Sequence, residues 1–329
     1  MNTGADDMET GRYILRRLIY AAIMMLCTSA VIFFLINSLG NPVELMLAET
    51  PGVSQETVDL ISAQYGLDKP LIQRYFIWIG DLLRLDFGTS ITYNLPVGGM
   101  IWSWGLHSMQ IQIPAIILSV AVAICAGTWA ARRQHSRQDF TVMGTVLLGQ
   151  SMPAFFLGII LIYIFSFVLG WFPSYGAIST RRLLWGSALF DGLWHMVLPV
   201  AMISMFNIAT LTLLVRTNMI DTLRQDFIRT ARASGLKEGE IIRRHALRMV
   251  MLPVITYVGL LLGLMLGTSP VTETVFTWPG LGALYVMAIQ QLDYPLIMGI
   301  SIVIAVMLIL MTTLTDILYA LIDPRVRLE

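Results

Sequence analysis

The chain's lysines, Lys69 and Lys237, follow Asp68 and Leu236. A phosphate-binding loop needs its lysine directly after glycine, so that backbone amides and ammonium converge on the phosphates. The chain therefore carries no P-loop of its own. None of His107, His135, His195 or His245 is followed by Glu, and no serine has glycine two residues away on both sides. These facts exclude a zincin helix and a nucleophile elbow, and the histidines are too scattered to define a metal site. The sequence is pointed instead at a mechanical task by RTARASGLKEGEIIRRHALRMVMLP, ending at Pro253, a basic, glycine-broken string wedged between two apolar runs. Arg229 to Ser234 is competent to form a helix, Gly235 suits the left-handed residue that ends one, and Glu238 to Arg248 restarts it. Pro253 is expected to open the next apolar helix.

What must position that handle is a set of membrane helices. Of 329 residues, 56% are hydrophobic and 13% charged, with a formal net charge of zero. That balance excludes a whole-chain electrostatic footprint for nucleic acid. Apolar runs of bilayer-spanning length, about 20 residues each, occur near residues 13–36, 109–131, 142–169, 194–215, 251–269 and 296–322. In a six-span arrangement most basic residues fall on one side: Arg12, Arg16 and Arg17, then Arg132, Arg133 and Arg137, then the cluster from Arg216 to Arg248, then Arg325 and Arg327. By the positive-inside rule that side is cytoplasmic, and both termini lie there. The first run is too long for a signal peptide, and no small-residue cleavage site follows it. Cys27 and Cys125 fall within expected spans, are not a disulfide framework, and are expected to be buried as small apolar groups.

Between Asn37 and Gly105 acidic residues outnumber basic ones, which suits an external location. Two helices are expected there. Ser54 caps the first, with Gly66 just past its end, and Pro70 opens the second, whose Leu71, Ile72, Tyr75, Phe76, Trp78, Ile79, Leu82 and Leu83 form an apolar face. That helix could lie flat in the outer interface or pack as an external cap.

The spacing of Ala231, Gly235 and Pro253 resembles the cytoplasmic "EAA" loop of permease subunits in binding-protein-dependent ABC importers, and the whole string is similar to the dipeptide, oligopeptide and nickel branch. Where the general motif has Glu-Ala-Ala, this chain has Arg229-Thr230-Ala231, so no role of that Glu carries over. The strings YGLDKPLIQRYFIWIGDLLRLDFGTS, GQSMPAFFLG, TETVFTWPGLG and TDILYALIDPRVR also resemble segments of that branch. The resemblance implies an all-α integral membrane protein with six transmembrane helices of the type I ABC importer permease kind and an external helical segment after the first span. Its expected divisions are a polar tail (1–11), the first span with the external segment (12–105), a permease core (106–322) containing the coupling loop 217–250, and a C-terminal tail (323–329).

The resemblance further implies that the loop sits in a groove on a cytosolic ATPase. Ala231, Gly235 and Pro253 match the motif position by position, and Arg229, Thr230, Arg232, Leu236 and His245 accompany them. It implies a second permease subunit, two ATPase subunits that bind ATP and Mg, an external substrate-binding protein and surrounding lipid. This chain would hold no cofactor, metal or catalytic residue and would lie in the bacterial inner membrane. The expected cargo is a di- or oligopeptide, with nickel or another small solute as the alternative. Read by charge alone, the same loop could be a solvated segment drawn to anionic lipid.

Polar residues inside spans are candidates for a translocation path: Gln150 and Ser151, beside the helix breaker Pro153, and Ser204, Asn207 and Thr210 on the fourth span. Each could equally hydrogen-bond between helices. Glu273 and Asp293, near expected outer ends, are expected to face water. Asp316 lies within the last span, where a carboxylate needs a partner. Arg325 or Arg327 could supply it only if the helix end folds back. A secondary transporter should carry ionisable groups at mid-membrane, and none is clearly placed there.

Overall fold

A computed structural model describes residues 3–41, 44, 56, 62, 66–179, 187–267 and 269–322, and the side chains of these from residue 11 to 318. Among them the regular elements are helices, and two residues, Thr89 and Pro96, form an isolated β-bridge. The order is α1 (Thr3–Asn37), α2 (Leu71–Leu82), α3 (Val97–Arg132), α4 (Arg137–Ser151), α5 (Ala154–Leu161, continued by a π-helical stretch Ile162–Val168), α6 (Ala188–Leu223), α7 (Asp226–Ala233), α8 (Glu238–Leu264), α9 (Pro270–Val275), α10 (Leu281–Gln290) and α11 (Tyr294–Ile322). Five of these helices, α1, α3, α6, α8 and α11, contain stretches long and apolar enough to cross a bilayer. The α4–α5 pair passes the same test only when joined, and it bends by 103° at its break.

The helices start and stop where local chemistry dictates. Pro96 precedes α3 in an extended conformation, with φ −60° and ψ 121°, as a residue just outside a helix should. Ser136 caps α4 by accepting the Asp139 N–H at 3.3 Å. Pro153 lacks an N–H and biases Met152 away from the helical region. Met152 has ψ 135°, so the helix ends there and α5 starts afresh. The expected third span is thus a sharply broken element rather than a mildly kinked rod.

Several expected boundaries move for similar reasons. Helix α3 starts at Val97, so the division drawn at Gly105 falls inside it. Pro253 does not open a helix. It lies within α8, whose continuous run starts at Glu238 and passes through a π-helical stretch, Ile241–Ala246. Span-forming helices tolerate an interior proline where neighbours satisfy the freed carbonyl. Pro114 and Pro199 are likewise interior to α3 and α6.

Helices α3 and α6 form the broadest pairing among the described helices. Their approach requires Gly127, where a Cβ would stand 2.7 Å from a Val215 methyl and 2.9 Å from the Thr212 carbonyl oxygen. Helices α8 and α11 pack similarly, with a Cβ at Gly259 overlapping the Thr315 side chain. Small residues at such crossings let backbones close in where lipid supplies no hydrophobic drive for association. Three apolar cores result among the described residues, the smallest joining Leu157, Leu161, Leu198, Met202 and Phe276. One, at the Arg-rich end, joins Val215, Met219, Ile228, Ile241 and Val250. Another, at the opposite end, joins Phe33, Val97, Leu281, Tyr294 and Leu296.

The first helix expected in the external segment lies outside the described residues. The second is α2, opened by Pro70 as expected. Its Tyr75 and Trp78 rings pack at 5.4 and 5.5 Å from the Phe33 ring of α1, and the Tyr75 hydroxyl meets Ser29 Oγ at 3.1 Å. Ile72, Phe76 and Leu83 point outward and are exposed. One face of the helix is therefore a cap on α1, while the other remains available to lipid or another chain.

Two expectations about individual residues are overturned. Cys27 and Cys125 are exposed on the helix surfaces, because their faces of α1 and α3 are turned away from the bundle. Glu273 and Asp293 do not face water: both are fully buried. Glu273 accepts the Ser108 hydroxyl at 2.6 Å, the Ser269 hydroxyl at 2.5 Å and the Ala283 N–H at 2.9 Å. Asp293 accepts the Ser90 hydroxyl at 2.5 Å and the N–H groups of Thr92 and Leu296. The α9–α10 segment folds inward as a plug, with Trp278 buried and its indole N–H donating to the His107 carbonyl at 2.8 Å. A buried carboxylate persists when several donors replace its hydration. Asp316 finds a cation in α1, where Arg17 reaches it at 2.8 Å; Arg325 and Arg327 lie outside the described residues.

Candidate coupling elbow and path

The string from Asp226 onward is shaped by a small amphipathic helix and a glycine turn. In α7, Ile228 and Ala231 point inward, 0% and 9% exposed, and pack with Ile241, Ile242 and Ala246. The helix ends at Ser234, and Gly235 takes φ +79°. An L-residue pays about 1–2 kcal/mol in that region, and glycine does not. The turn closes with the Gly235 N–H on the Arg232 carbonyl at 3.0 Å and the Leu236 N–H directed to that of Ala231 at 3.4 Å. Lys237 then leads into α8.

A second device holds the bend. Arg232 donates twice to Glu238, at 2.8 and 3.1 Å, straddling Gly235. Hydrogen bonding by Glu238 raises the Arg232 pKa above its ordinary value. Both side chains are nearly half exposed, so solvent screens the pair and it orients the turn more than it stabilises the fold. The outer surface of the elbow carries Phe227, Arg229, Thr230, Ser234 and Leu236, all exposed. Arg229 pairs only loosely with Asp226 at 3.3 Å on open surface. His245 is half-buried in the π-helical stretch of α8, and Pro253 lies farther along the same helix. The segment is thus a knob: apolar residues anchor its underside, and a mixed basic and apolar surface faces away.

The polar residues inside spans separate into two groups. Ser204 is 1% exposed, donates to the Ala115 carbonyl at 3.4 Å, and its own carbonyl accepts the Ser119 hydroxyl at 3.3 Å. It fastens α6 to α3 and is withdrawn from the path candidates. Gln150 and Ser151 are exposed at the break between α4 and α5. Gln150 donates to the Thr210 hydroxyl of α6 at 3.1 Å, and Asn207 is half-buried a turn away. These four residues present amide and hydroxyl groups around one break, the kind of irregular backbone tolerated at membrane depth where it lines a cavity or a protein contact.

Two further polar contacts escaped the sequence reading. Arg216 of α6 grips Asp139 of α4 through two bonds of 2.6 and 2.7 Å. The available signal was the Ser136-x-x-Asp139 capping pattern together with an arginine at the end of an apolar run. Asp191 and His195, one turn apart in α6, are both buried, and Asp191 accepts the Ser179 N–H and hydroxyl. Among the described residues no group of three or more His, Cys, Asp or Glu is arranged to hold a metal ion.

Helices long and apolar enough to cross a bilayer, with most basic residues gathered toward one end, mark a multi-pass membrane protein. Comparison with known proteins gives the family. The family described as binding-protein-dependent transport system inner membrane component matches residues 123–328, and the N-terminal family of such membrane components matches residues 10–100. The oligopeptide transport system permease protein AppB of Bacillus subtilis is 37% identical over 316 residues, 95% of this chain and 98% of that protein. The dipeptide transport system permease protein DppB of Escherichia coli K12 is 34% identical over 335 residues, 96% and 98% of the two chains. The glutathione transport system permease protein GsiC of Escherichia coli O1:K1 is 33% identical over 316 residues, 96% and 98%. The chain belongs to the permease family of binding-protein-dependent ABC importers and is a multi-pass inner-membrane protein.

Proposed function

We propose that this subunit forms half of a path for imported di- or oligopeptides and that residues 226–236 receive the stroke of a cytosolic ATPase. The cargo class rests on the names of the similar permeases. The observation that carries the coupling role is the elbow itself: Ile228 and Ala231 are anchored in the same core as α6 and α8, while Phe227, Arg229, Thr230 and Leu236 are left facing outward. A push on that outward face is delivered to two span-forming helices at once. The basic end is then cytoplasmic, in keeping with the positive-inside rule.

A second permease subunit completes the path, two ATPases bind and hydrolyse ATP with Mg, and an external binding protein delivers the cargo. Gln150, Ser151, Asn207 and Thr210 are the path-facing groups. ATP-driven closure of the ATPases shifts the complex between access states through its differential affinity for them. The test is Gly235→Val in the reconstituted complex with its binding protein. Strain of at least about 1–2 kcal/mol in the left-handed turn should lower uptake per ATP about tenfold while the subunits still assemble. Wild-type uptake per ATP in that variant would refute the elbow assignment.

A further inference from the structure

The Asp139–Arg216 pair is more enclosed than the other Arg–carboxylate pairs among the described residues, with side chains 6% and 18% exposed. Asp139 is also fixed within its own turn, because its Oδ2 accepts the His135 N–H at 3.0 Å and its N–H donates to Ser136 Oγ. At the other end of α4, Gln150 donates to Thr210. Both partners, Arg216 and Thr210, belong to α6. A third link runs from Arg224, just past α6, to Gln134, just before α4, at 3.2 Å. Helix α4 is therefore tied to α6 near its capped start and at the break that ends it, and α6 leads through a short turn into α7.

Apolar helix faces can slide past one another with little change in buried area, whereas a bidentate guanidinium–carboxylate fork fixes direction and register. A buried ion pair is a weak source of net stability. Its placement here suits transmission. We propose that Asp139 is a positioning residue for transport: by locking α4 to α6 it makes the break at Ser151–Pro153 follow the elbow. This inference rests on the coupling role given to residues 226–236. It adds that Asp139–Arg216 is an identifiable linkage by which the stroke reaches the α4 side of the candidate path.

The experiment uses the assembled complex, with Cys27 and Cys125 replaced by alanine and spin labels at exposed positions. One pair, Asp221 with Ile113, reports the elbow end of α6 against α3. The other, Thr145 with Ile113, reports α4. In the parent complex, MgATP with vanadate should shift both distances. In Asp139→Asn the Asp221 distance should shift as before and the Thr145 shift should fall to half or less. A full Thr145 shift in Asp139→Asn overturns the linkage while leaving the elbow standing. Failure of Asp221 to shift in the parent overturns the elbow reading itself, and the linkage with it. If Asp139→Asn does not assemble, Arg216→Lys keeps the charge but loses the fork. A partial Thr145 shift there supports the linkage, and a full one refutes it.

Discussion

Replacing Glu273 by glutamine removes a charge without changing shape, which isolates what the buried plug requires. One carboxylate oxygen accepts the hydroxyls of Ser108 and Ser269, and the other accepts the backbone N–H of Ala283. An amide offers one oxygen and two donors. If its oxygen faces Ala283, its NH2 group meets the two hydroxyls, and Ser108 already accepts the Leu281 N–H at 2.7 Å. If the amide is turned round, its NH2 group meets the Ala283 N–H, a backbone donor that cannot rotate away. Either way at least one buried donor loses its acceptor, at a cost of about 1–3 kcal/mol. Small rearrangement is blocked on one side, because Gly280 lies against the carboxylate so closely that a Cβ there would overlap it. The purified complex of Glu273→Gln should therefore melt roughly 2–12 °C lower by size-exclusion thermal assay, taking about 2–4 °C per kcal/mol. Asp226→Asn, on a side chain 94% exposed, is the control and should stay within about 0.5 kcal/mol. Equal melting of Glu273→Gln and the parent would refute the view that this carboxylate organises the plug.

Gly259→Ala places a methyl into Thr315 and should cost about 1–3 kcal/mol through overpacking, read as lost thermal stability. Adding Thr315→Gly should recover most of the loss, and no recovery would contradict the close crossing of α8 and α11. Arg17→Ala and Asp316→Ala should each destabilise the chain, and the double variant should show a coupling of about 1 kcal/mol rather than additivity. Strict additivity in that cycle would mean the 2.8 Å contact carries no energy.

Much of this architecture is legible in the sequence because lipid imposes a simple rule: apolar runs of sufficient length become helices, and basic residues sort to one side. The elbow is legible for a different reason. Gly235 is needed for a positive φ, and the alternation of Ile228 and Ala231 with charged residues specifies which face turns inward. Charge alone misleads at Glu273 and Asp293. Both sit near helix ends, where exposure is the natural expectation, and only the folded plug reveals the hydroxyl and N–H donors that replace water. Ser204 shows the same limit, since a serine on an apolar helix can serve a path or a crossing, and only the position of Ala115 and Ser119 decides. Pro153 marks a break, but neither its 103° angle nor the contacts that tie α4 to α6, Asp139–Arg216 and Gln150–Thr210, can be read from sequence, because the partners lie far apart in the chain. The end of α11 illustrates a partner problem: Asp316 needs a cation, and α1 supplies it because the first and last helices pack together.

The account stands on physical contact between the elbow and a nucleotide-driven partner at the cytoplasmic face. The direct measurement is site-directed cross-linking from a cysteine placed at Thr230, on the exposed side of α7, in a Cys27→Ala, Cys125→Ala background. The expected result is a specific cross-link to the ATPase subunit, altered by MgATP, with no reaction toward a membrane-impermeant maleimide added from outside in intact cells. Labelling from outside, or an elbow that never cross-links to the ATPase in an otherwise assembled and active complex, would contradict it.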